Sequence, residues 1–356
     1  MPNGLADLWS QFTFLWSDLS PLGTADEYLR MTRQGNKSTS IRSVRDRISP
    51  LFFRITKSQL QLPRPRFRIL KSEMSPLQRR IYKGIASRFL TQVAEAPHDR
   101  DTLREWRRAR AIRLLQVAVN PALLRRRCEE FRLPALDLSG IPLSEAIEHY
   151  AEYEMPNKVV LACSLTRQLC AEGNKVLLWS TFVHNLAMLA KELRDLNPVV
   201  VYGEVPILAT DSDDFGREAL IGRFRKDPNC RVLIANPAAC AESISLHMTC
   251  HHAIYVDRSF NCAHYLQSLD RIHRLGLPES ARTFYHLLIA SSSIDEIVDA
   301  RLKEKMRNMR NVVEGDLPGS LPGYWSEDLG DEETVDLALV EKHIKGLFSS
   351  RERKAK

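Results

Sequence analysis

Two kinds of apolar spacing divide the chain. Beyond about residue 156, short apolar runs recur at Val176–Trp179, Val199–Tyr202, Val232–Ala235, Ala253–Val256 and Thr283–Ile289. Amphipathic stretches of helical length separate them, at about 159–171, 182–196, 214–226, 238–247 and 262–273. Strands alternating with helices at this spacing predict βαβ units, an α/β class and a parallel sheet. Right-handed crossovers then gather the functional loops at the carboxyl ends of the strands. Ser293–Asn308 reads as a closing helix.

Upstream the spacing is mostly helical. Leu5, Leu8, Trp9, Phe12 and Leu15 fall on one face of an early helix, and 31–47 is polar, a loop or short helix. Pro63 and Pro65 interrupt apolar runs over 48–72, which reads as an extended strand or linker. Leu77, Ile81, Tyr82, Ile85 and Phe89 share a helical face, and a strongly basic helix follows from 101 to Pro121. Residues 313–330 read as linker and Asp331–Phe348 as a last helix. The expected organisation is an N-terminal remnant over 1–47, a linker and basic helical insertion over 48–154, an α/β lobe over 155–310, and an acidic linker with a basic tail over 311–356.

Composition narrows the classes. At 356 residues and 44% hydrophobic, the chain can bury a substantial core. It has no apolar run near the roughly 20 residues of a spanning helix, and no basic segment before an apolar core at its start. A soluble intracellular protein is expected, cytoplasmic or nucleoid-associated, or nuclear in a eukaryote. Its seven cysteines form no CxxC pair, which argues against a disulfide framework or zinc site. Cys250, His251 and His252 are adjacent on a strand and so point to alternate faces, away from a common ion. The net charge of +7 is uneven: Arg64–Arg127 holds 17 Lys/Arg against 5 Asp/Glu, whereas Asn311–Val340 holds 8 acidic residues and no Lys/Arg. A solvated helical surface and a polyanion-binding face fit that basic block equally.

The sharpest chemical string is Gln267-Ser-Leu-Asp270-Arg271-Ile-His-Arg274-Leu-Gly276. If the helix reaches 273, Arg271 and Arg274 share one face. Paired guanidiniums suit a polyphosphate, since each forks onto oxygens and keeps its charge. A surface pair salt-bridged to Asp270 fits the local pattern as well.

The string resembles motif VI of superfamily-two helicases, most closely that of the Swi/Snf-like DNA-translocating ATPases, Q-x-x-D-R-x-x-R-x-G-Q, with Leu277 in place of the final Gln. Other stretches follow in family order. Lys175-Val-Leu-Leu-Trp-Ser180-Thr-Phe is similar to "KVLIFSQF", and Val232-Leu-Ile-Ala-Asn236 sits where motif V begins. Asp257-Arg-Ser-Phe-Asn261 is similar to "D-x-x-W-N-P", with Cys262 for the proline. Upstream, Arg54-Ile-Thr-Lys57 with Leu62-Pro63, Glu73-Met-Ser-Pro-Leu-Gln78 and Leu114-Leu-Gln-Val-Ala-Val-Asn120-Pro121 are similar to "R-R-T-K…LP", "LSPLQ" and "LLRQICNHP".

The resemblance implies a RecA-like helicase C-terminal lobe acting with ATP and Mg²⁺ on double-stranded DNA, with no membrane partner. It makes Arg274 the arginine finger and Arg271 a γ-phosphate or interlobe contact, with Gln267 and Asp270 orienting them. Cys240, Ala241 and Ser243 stand where motif V carries glycines, and Glu242 and Ser243 are expected as further nucleotide or interlobe contacts. Ser180 and Thr181 are expected to cap the helix after the motif IV strand and, with Asn236, to face the DNA backbone. Arg104, Arg107, Arg108 and Arg110 are expected on a duplex-gripping protrusion. His184 and His273 are read as structural. The family's GxxxxGK[ST] loop and DExH box do not occur in the 356 residues, and Met1-Pro-Asn-Gly-Leu-Ala-Asp-Leu8-Trp9 resembles the family's segment just past motif III. The expectation is therefore a C-terminal portion, inactive until a first lobe is supplied from the same gene or a separate chain. Two alternatives stand beside it: a non-catalytic DNA-binding scaffold subunit, and a strand-separating helicase.

Overall fold

Six short strands, β1 (Arg66–Ser72), β2 (Val176–Trp179), β3 (Val199–Val201), β4 (Val232–Ala235), β5 (His252–Tyr255) and β6 (Phe284–Ala290), form one sheet in the order β1-β6-β5-β2-β4-β3. Every pairing is parallel, which bears out the α/β class. The structure is a computed structural model. It describes residues 6–16, 20–33, 43–44, 46–51, 60, 62–93, 100–125, 140–205, 216–240, 244–314 and 337–352.

The four residues of β2 and of β4 are all buried, because crossover helices cover a parallel sheet on both faces. On one face Val176, Leu178, Val232, Ile234, Ile254 and Leu288 pack with Val159, Ala162 and Leu169 of the Asn157–Ala171 helix and with Leu186 and Leu189 of the Val183–Glu192 helix. On the other face Trp179 stacks on Tyr255, with ring centroids 6.4 Å apart. The sheet belongs to a unit comprising Pro63–Ser259, His264–Asp299 and Val335–Lys356.

The Pro76–Val93 helix of that unit starts at a cap shared between Gln78 and Glu154. The backbone N–H of Ser75 donates to Oε1 of Gln78, and Glu154 accepts from the N–H groups of Leu77 and Gln78 at 3.1 and 2.7 Å. These bonds satisfy donors that the first helical turn leaves open, and they account for the Ser75-Pro-Leu-Gln78 string. They also hold the Glu154 carboxyl below its ordinary value, against the opposing effect of burial.

A second unit comprises Met1–Leu62, Phe260–Ala263 and Ala300–Thr334. Its helices Ala6–Leu15 and Ala25–Arg33 gather Phe12, Leu22, Tyr28, Val44 and Ile48 into a small core, with Trp9 and Met31 against it. Thr24 and Glu27 form a capping box at the second helix.

Two expected helices are shorter than their apolar spacing suggested. The one placed at 238–247 is Pro237–Cys240, and residues 244–250 are not helical. The one placed at 262–273 stops at Leu269. There Tyr285 Oη donates to the Leu269 carbonyl, and the N–H groups of Asp270 and Arg271 close tight turns onto Gln267 and Ser268. Among the described residues, no helix is long and apolar enough to cross a membrane.

Candidate functional site

The chain leaves β2 toward β3 and leaves β5 toward β6, so a topological switch point lies between the carboxyl ends of β2 and β5. Five polar residues meet there. Asp257, just past β5, accepts from the hydroxyls of Ser180 and Thr181 and, at 2.7 Å, from the backbone N–H of Thr181. Asn185 Nδ2 donates to Ser180 Oγ, and Asn236 Nδ2 donates to the Thr181 carbonyl. Asp257 is 2% exposed. Burial pushes its carboxyl above the ordinary range, while the Ser180 and Thr181 hydrogen bonds and the Lys158 charge pull it back. The expected cap of the following helix is corrected: its N-cap is Phe182, without a side-chain bond, because Asp257 engages both hydroxyls.

The motif VI residues lie beside this network in a loop. Since the helix ends at Leu269, Arg271 and Arg274 do not share a helical face. Arg271 is buried; its Nε donates to the Gln267 carbonyl at 2.9 Å and its Nη1 to the Ile244 carbonyl at 3.0 Å. The Leu246 N–H returns a bond to the Arg271 carbonyl at 2.9 Å. The stretch after motif V is thereby laced to motif VI. Ser245 Oγ holds His247 Nδ1, and a Cβ on Gly276 would lie 3.1 Å from His247 Nε2. Gly276 also has φ +94°, so both its backbone and its space call for glycine.

Arg274 is exposed, and among the described residues its guanidinium has no hydrogen bond or ion pair. Leu275 and Met248, 64% and 66% exposed, lie on the same two laced stretches. The outcome is one arginine built into the loop and one presented from it. Gln267 and Asp270 are half-buried. Glu242 and Ser243 fall outside the described residues. Among the described residues no group of three or more His, Cys, Asp or Glu could hold a metal ion.

Arg104, Arg107 and Arg108 belong to the Arg100–Val119 helix, though their side chains lie outside the described set. Arg110 and Arg113 of the same helix are each 6% exposed, so Arg110 turns inward rather than onto a protruding surface. Burial pulls its guanidinium down to about 10. His273 is buried and meets the Pro63 carbonyl at 2.7 Å, a structural contact. Asp257 is the residue that sequence reading left out of the site. Its position at the end of a strand beside the switch point was the available signal.

The "Helicase conserved C-terminal domain" family matches residues 157–276, the span that holds both the Asp257 network and the motif VI loop. Residues 157–276 carry a helicase conserved C-terminal domain. A probable chromatin-remodeling complex ATPase chain from Oryza sativa subsp. japonica is 25% identical over 86% of this chain and 26% of its own length. The protein CHROMATIN REMODELING 4 of Arabidopsis thaliana is 29% identical over 46% of this chain and 7% of its own. The chain thus spans about a quarter or less of these curated relatives. The crystal structure of the C-terminal part of the Fun30 ATPase domain superposes with a TM-score of 0.52 at 18% identity, covering 82% of this chain and 99% of that one. The helicase lobe therefore has the RecA-like fold.

Proposed function

We propose that this chain serves as the C-terminal part of an ATP-dependent translocase on double-stranded DNA, with residues 155–310 as its RecA-like lobe. The observation that carries this reading is the division of labour in motif VI. Arg271 is consumed by two backbone carbonyls, while Arg274 stands exposed with no described partner on a loop that Arg271 fixes. A fixed, permanently charged guanidinium fits a γ-phosphate, where it stabilises charge spread over the equatorial oxygens. Gln267 supports the loop through its carbonyl. Asp270 follows it at the helix end.

ATP, when bound, would supply the phosphoanhydride, and the resemblance assigns the Mg²⁺ ligand to a first lobe. Arg274 is the finger, Arg271 its positioning residue, and Glu242 and Ser243 are assigned as further nucleotide or interlobe contacts. The switch-point network of Ser180, Thr181, Asn236 and Asp257 shapes the strand-end loops toward the DNA backbone. Arg104, Arg107 and Arg108 add sequence-independent phosphate contacts.

The test joins this chain to a first lobe carrying a GxxxxGK[ST] loop and measures ATP hydrolysis with and without duplex DNA. Duplex-stimulated hydrolysis that needs both parts supports the proposal. Salt-sensitive duplex binding without hydrolysis supports the scaffold reading, which the loss of the motif V glycines at Cys240, Ala241 and Ser243 favours. Displacement of an annealed strand supports a helicase.

A further inference from the structure

The sheet ends at β1, and β1 is built unlike the other strands. Four of its first residues, Arg66, Phe67, Arg68 and Ile69, are exposed, whereas β2 and β4 are wholly buried. Among the described residues β1 pairs only with β6. The Arg66 N–H donates to the Thr283 carbonyl and the Ser72 carbonyl accepts from Ser291 N–H, so the even-numbered residues direct their backbone groups toward β6. In a parallel ladder the alternate residues face away. Phe67, Ile69 and Lys71 therefore hold their N–H and C=O groups toward the open edge.

Side chains alternate in step. Phe67 and Ile69, 47% and 44% exposed, line one face, with Phe67 stacked on Tyr285 at 4.9 Å. Arg66 and Arg68 line the other, their guanidiniums 6.0 and 5.1 Å from the Phe284 ring. Neither arginine has an acidic partner among the described residues, whereas Lys71 meets Glu296 at 3.4 Å.

We propose that β1 is a docking edge for an extended peptide segment alternating acidic and apolar residues, added to the sheet as a seventh strand. Such a segment pairs its backbone with the outward groups of Phe67, Ile69 and Lys71. Its apolar side chains lie over Phe67 and Ile69, and its carboxylates face Arg66 and Arg68. A second copy of β1 would bring like charges together, which disfavours self-pairing. A nucleic acid would satisfy the arginines but would set its phosphates against outward carbonyls and leave the apolar pair uncovered.

The full chain is titrated with a short fluorescein-labelled peptide of alternating glutamate and valine, read by anisotropy, while hydrogen exchange is followed at residues 67, 69 and 71. Saturable binding is expected, with slowed exchange at those three amides. Arg66→Glu with Arg68→Glu weakens it by about tenfold or more. Ile69→Pro removes only an outward N–H, a change edge strands tolerate, and also weakens binding. Unchanged thermal unfolding of both variants shows that folding is intact. Equal binding of a proline-interrupted peptide, indifference to the charge reversal, or an effect of that reversal on duplex DNA alone would overturn the proposal.

Discussion

Nη1 of Arg271 donates to the carbonyl oxygen of Ile244 at 3.0 Å, and this bond ties the motif VI loop to the stretch just past motif V. Three residues later Arg274 is exposed. Two arginines that look equivalent in the sequence differ because one donates to the buried Ile244 carbonyl, which has no other donor among the described residues. A hydrogen bond from a charged group to a buried acceptor is costly to remove.

Arg271→Ala is expected to destabilise the chain by about 1–3 kcal/mol, the cost of leaving the buried Ile244 carbonyl without its donor. Arg274→Ala, a surface change, should stay within about 0.5 kcal/mol. Denaturant unfolding of the two variants checks this, with faster hydrogen exchange at Leu246 expected in the first alone. Equal stabilities would show that Arg271 is not a clamp.

Asp257→Ala removes the acceptor of two hydroxyls and one backbone N–H at the switch point, and about 2–4 kcal/mol should be lost. Asp257→Asn keeps an acceptor for the Thr181 N–H and carries no charge to desolvate. It should unfold within about 1 kcal/mol of the parent. Thermal melts of the pair distinguish a network that needs an acceptor from one that needs a charge.

His252 Nδ1 and His286 Nε2 lie 3.3 Å apart at the start of β5 and within β6. Burial, with the His252 and Arg68 charges, pulls His286 down to about 4 from 6.5. A base depressed in the folded state binds its proton more readily when unfolded, so stability falls as pH drops from about 6.5 toward 4. The loss attributable to His286 should be on the order of 1–3 kcal/mol. His286→Phe should flatten stability between those pH values, and an unaltered profile would place the effect elsewhere.

Charge reversal at Arg104, Arg107 and Arg108 should weaken duplex binding uniformly across sequences. If each arginine meets one phosphate, the slope of log affinity against log salt falls by about 2–3. Binding isotherms at several salt concentrations on unrelated duplexes measure both effects. A sequence-dependent loss would argue for base contacts.

The sheet was legible because its central strands are buried on both faces and so read as bare apolar runs, as at Val176–Trp179 and Val232–Ala235. Strand β1 was legible only as an extended stretch, since an edge strand with five exposed residues carries no apolar signature. The helix ending at Leu269 was overrun because Ile272 continues its apolar spacing. What stops it is long-range, the Tyr285 hydroxyl on the Leu269 carbonyl and the lacing of Arg271 to Ile244. The motif residues were found from their order along the chain. Their division into a clamp and a presented arginine depends on burial, which spacing does not encode.

The central claim is that Arg274 acts on the nucleotide from a loop that Arg271 holds. Duplex-stimulated ATP hydrolysis by the assembled two-lobe enzyme, with Arg274→Ala beside the parent, tests it most directly. The account predicts a loss of about 10³-fold or more in turnover, in the range known for arginine fingers, with folding and duplex binding retained. Turnover within about twofold of the parent, well short of that range, would contradict it.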